Sequence, residues 1–375
     1  MDQPGTSFKP NILVAPLDWG LGHATRCIPI MQGLIQKNCN VLIAAEGKIK
    51  SLLQKEFPQL VFIDFKGYRI HYSKNGWMLP LQIGKQIPKI ISTIQYENER
   101  LKEIVKEYQI HGIISDNRYG LHHDNIPSVF ITHQLRIKTP FGKIVDDIIQ
   151  RINYKYINRF CECWVPDNEN ESNLAGQLSH PEKNPSVPVK YIGPLSRFKE
   201  ATTANENNLL ILLSGPEPQR TIFENLLVQQ LRDYKSSAVL LRGLPGEANG
   251  LSLPANISVY DHLPSAELNQ KVNEASFVIS RCGYSTVMDL AVLKKKSILV
   301  PTPGQTEQEE LARHLMKNNF AFFVWQNKFR LKNALNLAQE FNYQIQKISA
   351  QNQLDDVLNG FIVEVYASLN KSSPV

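Results

Sequence analysis

His23 is the residue whose neighbours best equip it to move a proton. It follows an apolar run, 11–16, and a turn holding Gly20 and Gly22, and it stands where a helical stretch reaching residue 36 begins. Glycines at such a turn let the backbone bend sharply and approach a ligand closely. The positive end of a helix dipole lowers the proton affinity of an imidazole beside it and favours the neutral, base-competent form. Asp116 ends a second apolar run, 111–115. Polar groups at a strand's carboxyl end lie on the ligand side of a doubly wound sheet. A carboxylate there can hold one ring nitrogen of His23, fix its tautomer and support the imidazolium that proton transfer creates. A cap or turn role for Asp116 fits the same position.

A second constellation occupies residues 280–310. An apolar run, 275–279, leads into Ser280-Arg281-Cys282-Gly283, and helical spacing begins at Tyr284. A turn at the end of a buried parallel strand aims backbone N–H groups and a helix N-terminus at one point, which suits an anionic ligand. Thr286 and Asp289 lie three residues apart and share a helix face. A carboxylate on that face can accept hydrogen bonds from a diol such as ribose. The design then repeats, with an apolar run, 297–300, a Pro301–Gly304 turn, and a polar helix start carrying Gln308 and Glu309. Earlier in this half, the run 209–213 leads to Ser214 and Gly215, then to Arg220 at the start of a helix. Small residues, a helix start and a cation suit a phosphate, although Pro216 and Pro218 remove two backbone donors.

The spaced set Arg281, Gly283, Thr286 and Asp289, followed by Val300-Pro301 and Gln308, resembles the carboxyl-terminal donor site of UDP-sugar glycosyltransferases of the family 28 kind. Asp289 stands where that family usually has Glu and is one methylene shorter. Glu309 stands where a second Gln often follows, and the turn at 214–220 departs from the family's Gly-Gly-Ser-x-Gly loop. Gly20-x-Gly22-His23 is similar to the family's amino-terminal Gly-Gly-His loop, and His133-Gln134 to a His-Glu-Gln loop of its peptidoglycan members.

The resemblance implies the GT-B fold: an α/β chain of two Rossmann-like domains whose parallel sheets face across a cleft, with a last helix crossing back to the first domain. It implies transfer of a hexose or N-acetylhexosamine from a UDP-sugar to an acceptor hydroxyl, with inversion. His23 would be the base and Asp116 its orienting partner. Gly22, Ser214, Gly215, Arg220, Arg281, Gly283, Ser285, Thr286 and Asp289 would surround the nucleoside diphosphate. His262 and Leu263 would meet the uracil edge, and Gln308 with Glu309 the sugar. Asp18, Trp19, His133 and Gln134 would lie on the acceptor side.

Positioning these residues requires alternating strands and helices, and the apolar runs and helical stretches do alternate along the chain. Residues 1–180 read as an acceptor domain, 181–350 as a donor domain and 351–375 as the crossing helix. Residues 166–197 are rich in Asn, Ser, Pro and Glu and read as the connection between the halves. The segment 67–108 is longer than a simple crossover. Its middle, 77–91, mixes aromatic, apolar and basic residues and fits either an ordinary amphipathic helix or an acceptor-side insertion touching lipid or substrate.

The 375 residues suit two domains better than one core. A net charge of +6 suits an anionic donor or an acidic membrane surface and gives no sign of nucleic-acid binding. The five cysteines are scattered, without a Cys-x-x-Cys pair, so reduced thiols and a cytoplasmic setting are expected. No run reaches the ~18 apolar residues of a spanning helix, so membrane contact is expected to be peripheral. There is no Asp-x-Asp pair to hold a divalent ion on a diphosphate, so no metal and no cofactor beyond the donor are expected. Two other readings stay open. One is a UDP-sugar epimerase of the same architecture, which needs no acceptor; the other is a non-catalytic sugar-nucleotide binding protein, indifferent to the loss of His23. A dinucleotide dehydrogenase is disfavoured, because the glycine turns lack the full Gly-x-Gly-x-x-Gly with a downstream acid.

Overall fold

In a computed structural model, the protein is described over residues 8–69, 87–201, 208–244, 250–345 and 350–372. There the apolar runs form two sheets, parallel at every pairing. The first takes the order β3-β2-β1-β4-β5-β6-β7. Its strands are β1 (Asn11–Pro16), β2 (Asn40–Ala45), β3 (Val61–Asp64), β4 (Gly112–Asp116), β5 (Ser128–Ile131), β6 (Glu162–Val165) and β7 (Val189–Tyr191). The second takes the order β10-β9-β8-β11-β12-β13. It is built from β8 (Asn208–Leu212), β9 (Ala238–Leu241), β10 (Ile257–Tyr260), β11 (Ala275–Ser280), β12 (Ser297–Leu299) and β13 (Phe322–Phe323). Strands buried on both faces read as continuous apolar runs, and Ile12, Leu13, Val14 and Ala15 of β1 are all fully buried.

Helices cover both faces of each sheet. The first domain has α1 (Leu21–Gln36), α2 (Gly47–Glu56), α3 (Ile87–Glu107) and α4 (Lys143–Ile157). The second has α5 (Gln219–Leu231), α6 (Ser265–Glu274), α7 (Tyr284–Val292), α8 (Thr306–Lys317) and α9 (Leu331–Glu340), and α10 (Ala350–Ser372) follows. The first sheet runs past residue 180, where composition placed the end of the first domain. Its edge strand β7 is three residues long and only half-buried, so it leaves no apolar run to read. Of the segment 77–91, residues 77–86 lie outside the described residues, and the remainder opens α3.

Strand order reverses between β1 and β4 in one sheet and between β8 and β11 in the other. Ligands of such sheets bind in the crevice outside the carboxyl ends at the reversal. The loops at these two reversals carry His23 with Asp116, and Ser214-Gly215 with Arg281–Gly283. The domains are fastened by a shared core: one buried cluster runs from Ile12, Ile28 and Leu34 through Val287 and Met288 to Leu311.

The last helix returns to the first domain, as the GT-B resemblance implies. A Cβ on Gly112 of β4 would lie 2.9 Å from both Phe361 and Val365 of α10, so the strand and helix touch only because glycine is there. Phe361 packs edge-on against Trp164 of β6 at 5.6 Å. Among the described residues no helix is long and apolar enough to cross a membrane. Replacing Phe361 by Ala is expected to cost about 3–5 kcal/mol in urea unfolding, the price of an unfilled aromatic site. A loss below about 1 kcal/mol would show that α10 does not hold the first domain together.

Candidate active site

β1 and β4 are neighbours, with Pro16 paired to Asp116, so the loop after β1 passes over the end of β4. α1 begins at Leu21, earlier than its apolar spacing suggests, and puts His23 in its first turn. His23 Nδ1 lies 2.8 Å from Asp116 Oδ2. An ionised carboxylate only accepts, so Nδ1–H donates and Nε2 keeps its lone pair. Nε2 forms no hydrogen bond among the described residues, and the side chain is 18% exposed. Arg26, one turn along on the same face, donates to Asp116 Oδ1 through Nε at 3.0 Å and also through Nη2.

These contacts set the charges. Burial alone would raise Asp116, but Arg26 and His23 bring it down to about 2. His23 is lowered from the ordinary imidazole value, first by burial and then by the Arg26 guanidinium, which together outweigh Asp116. The pair is therefore a fixed carboxylate and a neutral imidazole with one free nitrogen, which is the form a general base needs.

The network continues into the second domain. Arg26 Nη1 donates to His133 Nδ1 at 3.2 Å, and His133 Nε2–H donates to Glu307 Oε1 at 2.7 Å. The His133 ring stacks on Tyr284 of α7, 4.1 Å between centroids and 4° from parallel. Ser285 Oγ donates to Gly22 O at 3.0 Å, and a Cβ on Gly22 would come 2.7 Å from that hydroxyl oxygen. Glycine at 22 is thus what admits the N-terminus of α7 to the side of His23. Glu307 is pushed up by burial but pulled down further by His133, and ends below the usual carboxylate range.

On the donor side, Gly283 caps α7 in extended geometry, and a Cβ there would meet nothing within 4 Å. Thr286 and Asp289 share the α7 face. Ser196 Oγ donates to Asp289 at 2.5 Å, yet burial pushes this carboxyl up to about 7. Ser214 and Gly215 are exposed at the end of β8, and Gly215 has a φ of 103°, a conformation that favours glycine. His262 is exposed and Leu263 buried after β10.

Several expected ligand residues make contacts within the protein. Arg281 donates to Gln219 O at 2.7 Å and Val300 O at 3.3 Å, and its guanidinium lies 4.4 Å over the Phe223 ring. It ties β11 and β12 to α5, and burial without an anion pulls it down to about 9. Arg220 pairs with Glu217 at 2.5 Å, just before the helix, and with Glu224 at 3.2 Å, one helical turn on. Gln308 accepts from the Thr302 N–H at 2.9 Å and donates to Gln305 at 2.5 Å, so it staples the 301–305 loop. Glu309 lies 3.7 Å from Arg313 and lines a cavity of about 450 Å³ with Arg136, Lys138 and Thr306. Asp18 accepts from the Tyr68 and Arg69 N–H groups at 3.0 and 2.8 Å and anchors that loop, while exposed Trp19 sits edge-on to Tyr68. The Gln134 N–H donates to Thr132 Oγ1 at 3.0 Å. Among the described residues no group of three or more His, Cys, Asp or Glu side chains could hold a metal ion.

Three participants were not singled out by the sequence. Arg26 carried a signal, a cation one helical turn after His23. Tyr284 and Glu307 carried none, because their partner His133 is remote in the chain.

Residues 222–360 match the family model of the glycosyltransferase family 28 C-terminal domain. The chain is similar to the UDP-N-acetylglucosamine--N-acetylmuramyl-(pentapeptide) pyrophosphoryl-undecaprenol N-acetylglucosamine transferase of Haemophilus ducreyi, 27% identical over 165 residues, 42% of this chain and 46% of that protein. It thus spans less than half the length of that relative. The protein of the same name from Francisella philomiragia is 20% identical over 340 residues, 87% of each chain. Among solved structures, the glycotransferase of kitacinnamycin superposes with a TM-score of 0.63 at 13% identity over 96% of each chain. MurG of Acinetobacter baumannii gives 0.52 at 13% identity, covering 97% of this chain and all of that one. The spinosyn rhamnosyltransferase complexed with thymidine diphosphate gives 0.56 at 14% identity over 96% of each. The likeness is one of fold, the two-domain GT-B frame.

Asp116 and His23 should separate in their effect on stability. Asp116→Ala strands the buried Arg26 charge and is expected to cost about 3–5 kcal/mol in urea unfolding. His23→Ala leaves the Arg26–Asp116 pair whole and is expected to cost only about 1 kcal/mol. Equal costs would contradict the charge assignment.

Proposed function

We propose that this chain, a glycosyltransferase of the family 28 type on the GT-B frame, moves a hexose or N-acetylhexosamine from a UDP-sugar to an acceptor hydroxyl, with inversion and without a metal ion. One observation carries the proposal. His23, with Nδ1 held by Asp116 and Nε2 free, directly follows Gly22, the residue that Ser285 at the start of α7 touches. A base from one domain and a helix N-terminus from the other converge on the same crevice.

In the reaction, His23 Nε2 takes the acceptor's hydroxyl proton as the acceptor oxygen bonds to the anomeric carbon. The bond from that carbon to the UDP oxygen breaks, and the electron pair leaves with the diphosphate. Attack opposite the leaving group inverts the carbon. The N-terminus of α7 and the backbone near Gly283 and Gly215 supply donors for the departing charge. Arg220 and Arg281 are occupied, so backbone and dipole do this work rather than a guanidinium. The thymidine diphosphate held by one structural relative supports a nucleoside diphosphate here, and the curated relatives' names support an N-acetylhexosamine donor. Asp289 takes the ribose diol, whose hydroxyls favour the charged carboxylate that burial disfavours. The acceptor is a glycan, glycolipid or small molecule met in the cytoplasm, at the inner face of the membrane.

His23→Ala is expected to lower transfer by ~10² or more while UDP binding persists. In the intact protein the rising limb of kcat/KM with pH should fall below the ordinary imidazole value of 6.5, because the base works only unprotonated and its proton affinity is reduced. The rate should survive a chelator and vanish with donor alone. Strict dependence on magnesium, or turnover without acceptor, would overturn the mechanism. A second readout concerns Asp289. Calorimetry near neutral pH should show proton release on UDP binding, lost in Asp289→Asn; unchanged release in the variant would remove Asp289 from the site.

A further inference from the structure

The base of the first domain is held in part by the second. Arg26 is buried, and a guanidinium carries only donors. Its Nε and Nη2 serve Asp116, and its Nη1 serves His133 Nδ1 at 3.2 Å. His133 Nδ1 must therefore offer a lone pair, so the ring proton sits on Nε2, where Glu307 Oε1 accepts it at 2.7 Å. The ring is kept in this plane. It lies flat against Tyr284, whose own hydroxyl donates to Pro166 O at 2.8 Å. Glu307 is placed as firmly, because Thr306 beside it donates to Lys138 O at 2.9 Å and pins the first turn of α8 to the loop after β5.

Two carboxylates thus set two tautomers in series. Glu307 decides which nitrogen of His133 is bare, and the bare nitrogen helps to hold Arg26. Arg26 occupies Asp116 Oδ1, which leaves Asp116 Oδ2 for His23 Nδ1–H. The contest at that Nδ1 is close, since Arg26 Nη2 also lies 2.9 Å from it. We propose that His133 and Glu307 are positioning residues which, through Arg26, hold the His23–Asp116 pair in its base-competent arrangement, so that the base is complete only when the second domain is seated.

Without a lone pair on His133 Nδ1, Arg26 Nη1 becomes a buried donor with no partner, and the guanidinium must shift to find one. Asp116 then loses part of its pairing and grips the His23 proton more firmly. The ionisable groups gathered around His23 are Arg26 and Cys27 on α1, Asp116 at the end of β4, His133 after β5, Tyr284 on α7 and Glu307 on α8. Burial pushes the Cys27 thiol and the Tyr284 phenol up, so both stay neutral. Glu307 can act on His23 in two ways, and their signs differ. Loss of its negative charge alone would lower the proton affinity of His23, whereas loss of its hold on His133 would raise it. The role rests on His23 serving as the base, but the coupling is read on the resting protein. A coupled titration alongside transfer that His23→Ala leaves untouched would remove the base and keep the coupling.

The test is a histidine titration of the nitrogen-labelled full chain, followed by nuclear magnetic resonance with neither donor nor acceptor added. The His23 signal is assigned by its loss in His23→Ala. Glu307→Ala should raise the His23 midpoint by up to about one pH unit, roughly tenfold in proton affinity. Glu307→Gln drops the charge but keeps an oxygen to accept from His133, so its midpoint should stay at or just below the parent's. His133→Phe keeps a ring against Tyr284 and should also raise the midpoint. His133→Gln offers an amide oxygen to Arg26 and should bring it back. Thermal melting at the parent's temperature certifies each fold, and the Glu307 side chain is 36% exposed, so its variants carry the test if a change at buried His133 does not fold. A midpoint that falls or stays put in Glu307→Ala would overturn the proposal. So would equal midpoints in His133→Phe and His133→Gln.

Discussion

Asp116 is a buried carboxylate that serves a cation and an imidazole at once. Burying a charge is tolerable only when it is paired, and Arg26 supplies the pairing. With that pair neutral as a unit, a proton on His23 would add an uncompensated charge to a mostly buried place. His23 is therefore kept neutral. The same carboxylate still orients the ring, because its second oxygen claims Nδ1–H. A free Asp–His dyad would hold its proton more firmly, because here the guanidinium lowers the proton affinity of the ring.

The fold places this unit at a strand-order reversal, where ligands of such sheets bind. Pro16 and Asp116 lie side by side at the strand reversal of the first sheet, and Ser214-Gly215 with Gly283 lie at the reversal of the second. The two crevices meet because the domains share a core and because Gly22 has no side chain to keep α7 away. His133 completes the junction. It takes a hydrogen bond from Arg26, gives one to Glu307 and stacks on Tyr284. A change in how the domains sit would thus be felt at Arg26, and through it at the base.

Much of the architecture was legible because parallel strands buried on two faces leave continuous apolar runs, and the glycine turns mark where those runs end. β7 escaped notice because it is a half-buried edge strand of three residues. The His23–Asp116 pair was legible from helix start and strand end together. Other assignments fell on side chains that the fold already engages. Arg220, Arg281 and Gln308 were read as free to meet a ligand, but a residue's type does not reveal whether the protein already uses it. For Arg220 the competing carboxylates stood three and four residues away and were visible. For Arg281 the partners are backbone carbonyls and a ring brought by the fold, and for Glu307 the partner lies 174 residues distant, so only three dimensions reveal them.

Everything turns on which ring nitrogen of His23 carries the proton. Nδ1 has two neighbours, Asp116 Oδ2 at 2.8 Å and Arg26 Nη2 at 2.9 Å, and they ask opposite things of it. Nuclear magnetic resonance of nitrogen-labelled histidine in the intact protein, assigned with the His23→Ala variant, reads the tautomer directly. Near neutral pH the expected spectrum shows a neutral ring with its proton on Nδ1 and a bare Nε2. A proton on Nε2, with Nδ1 accepting from Arg26, would leave the crevice without a base and contradict the mechanism.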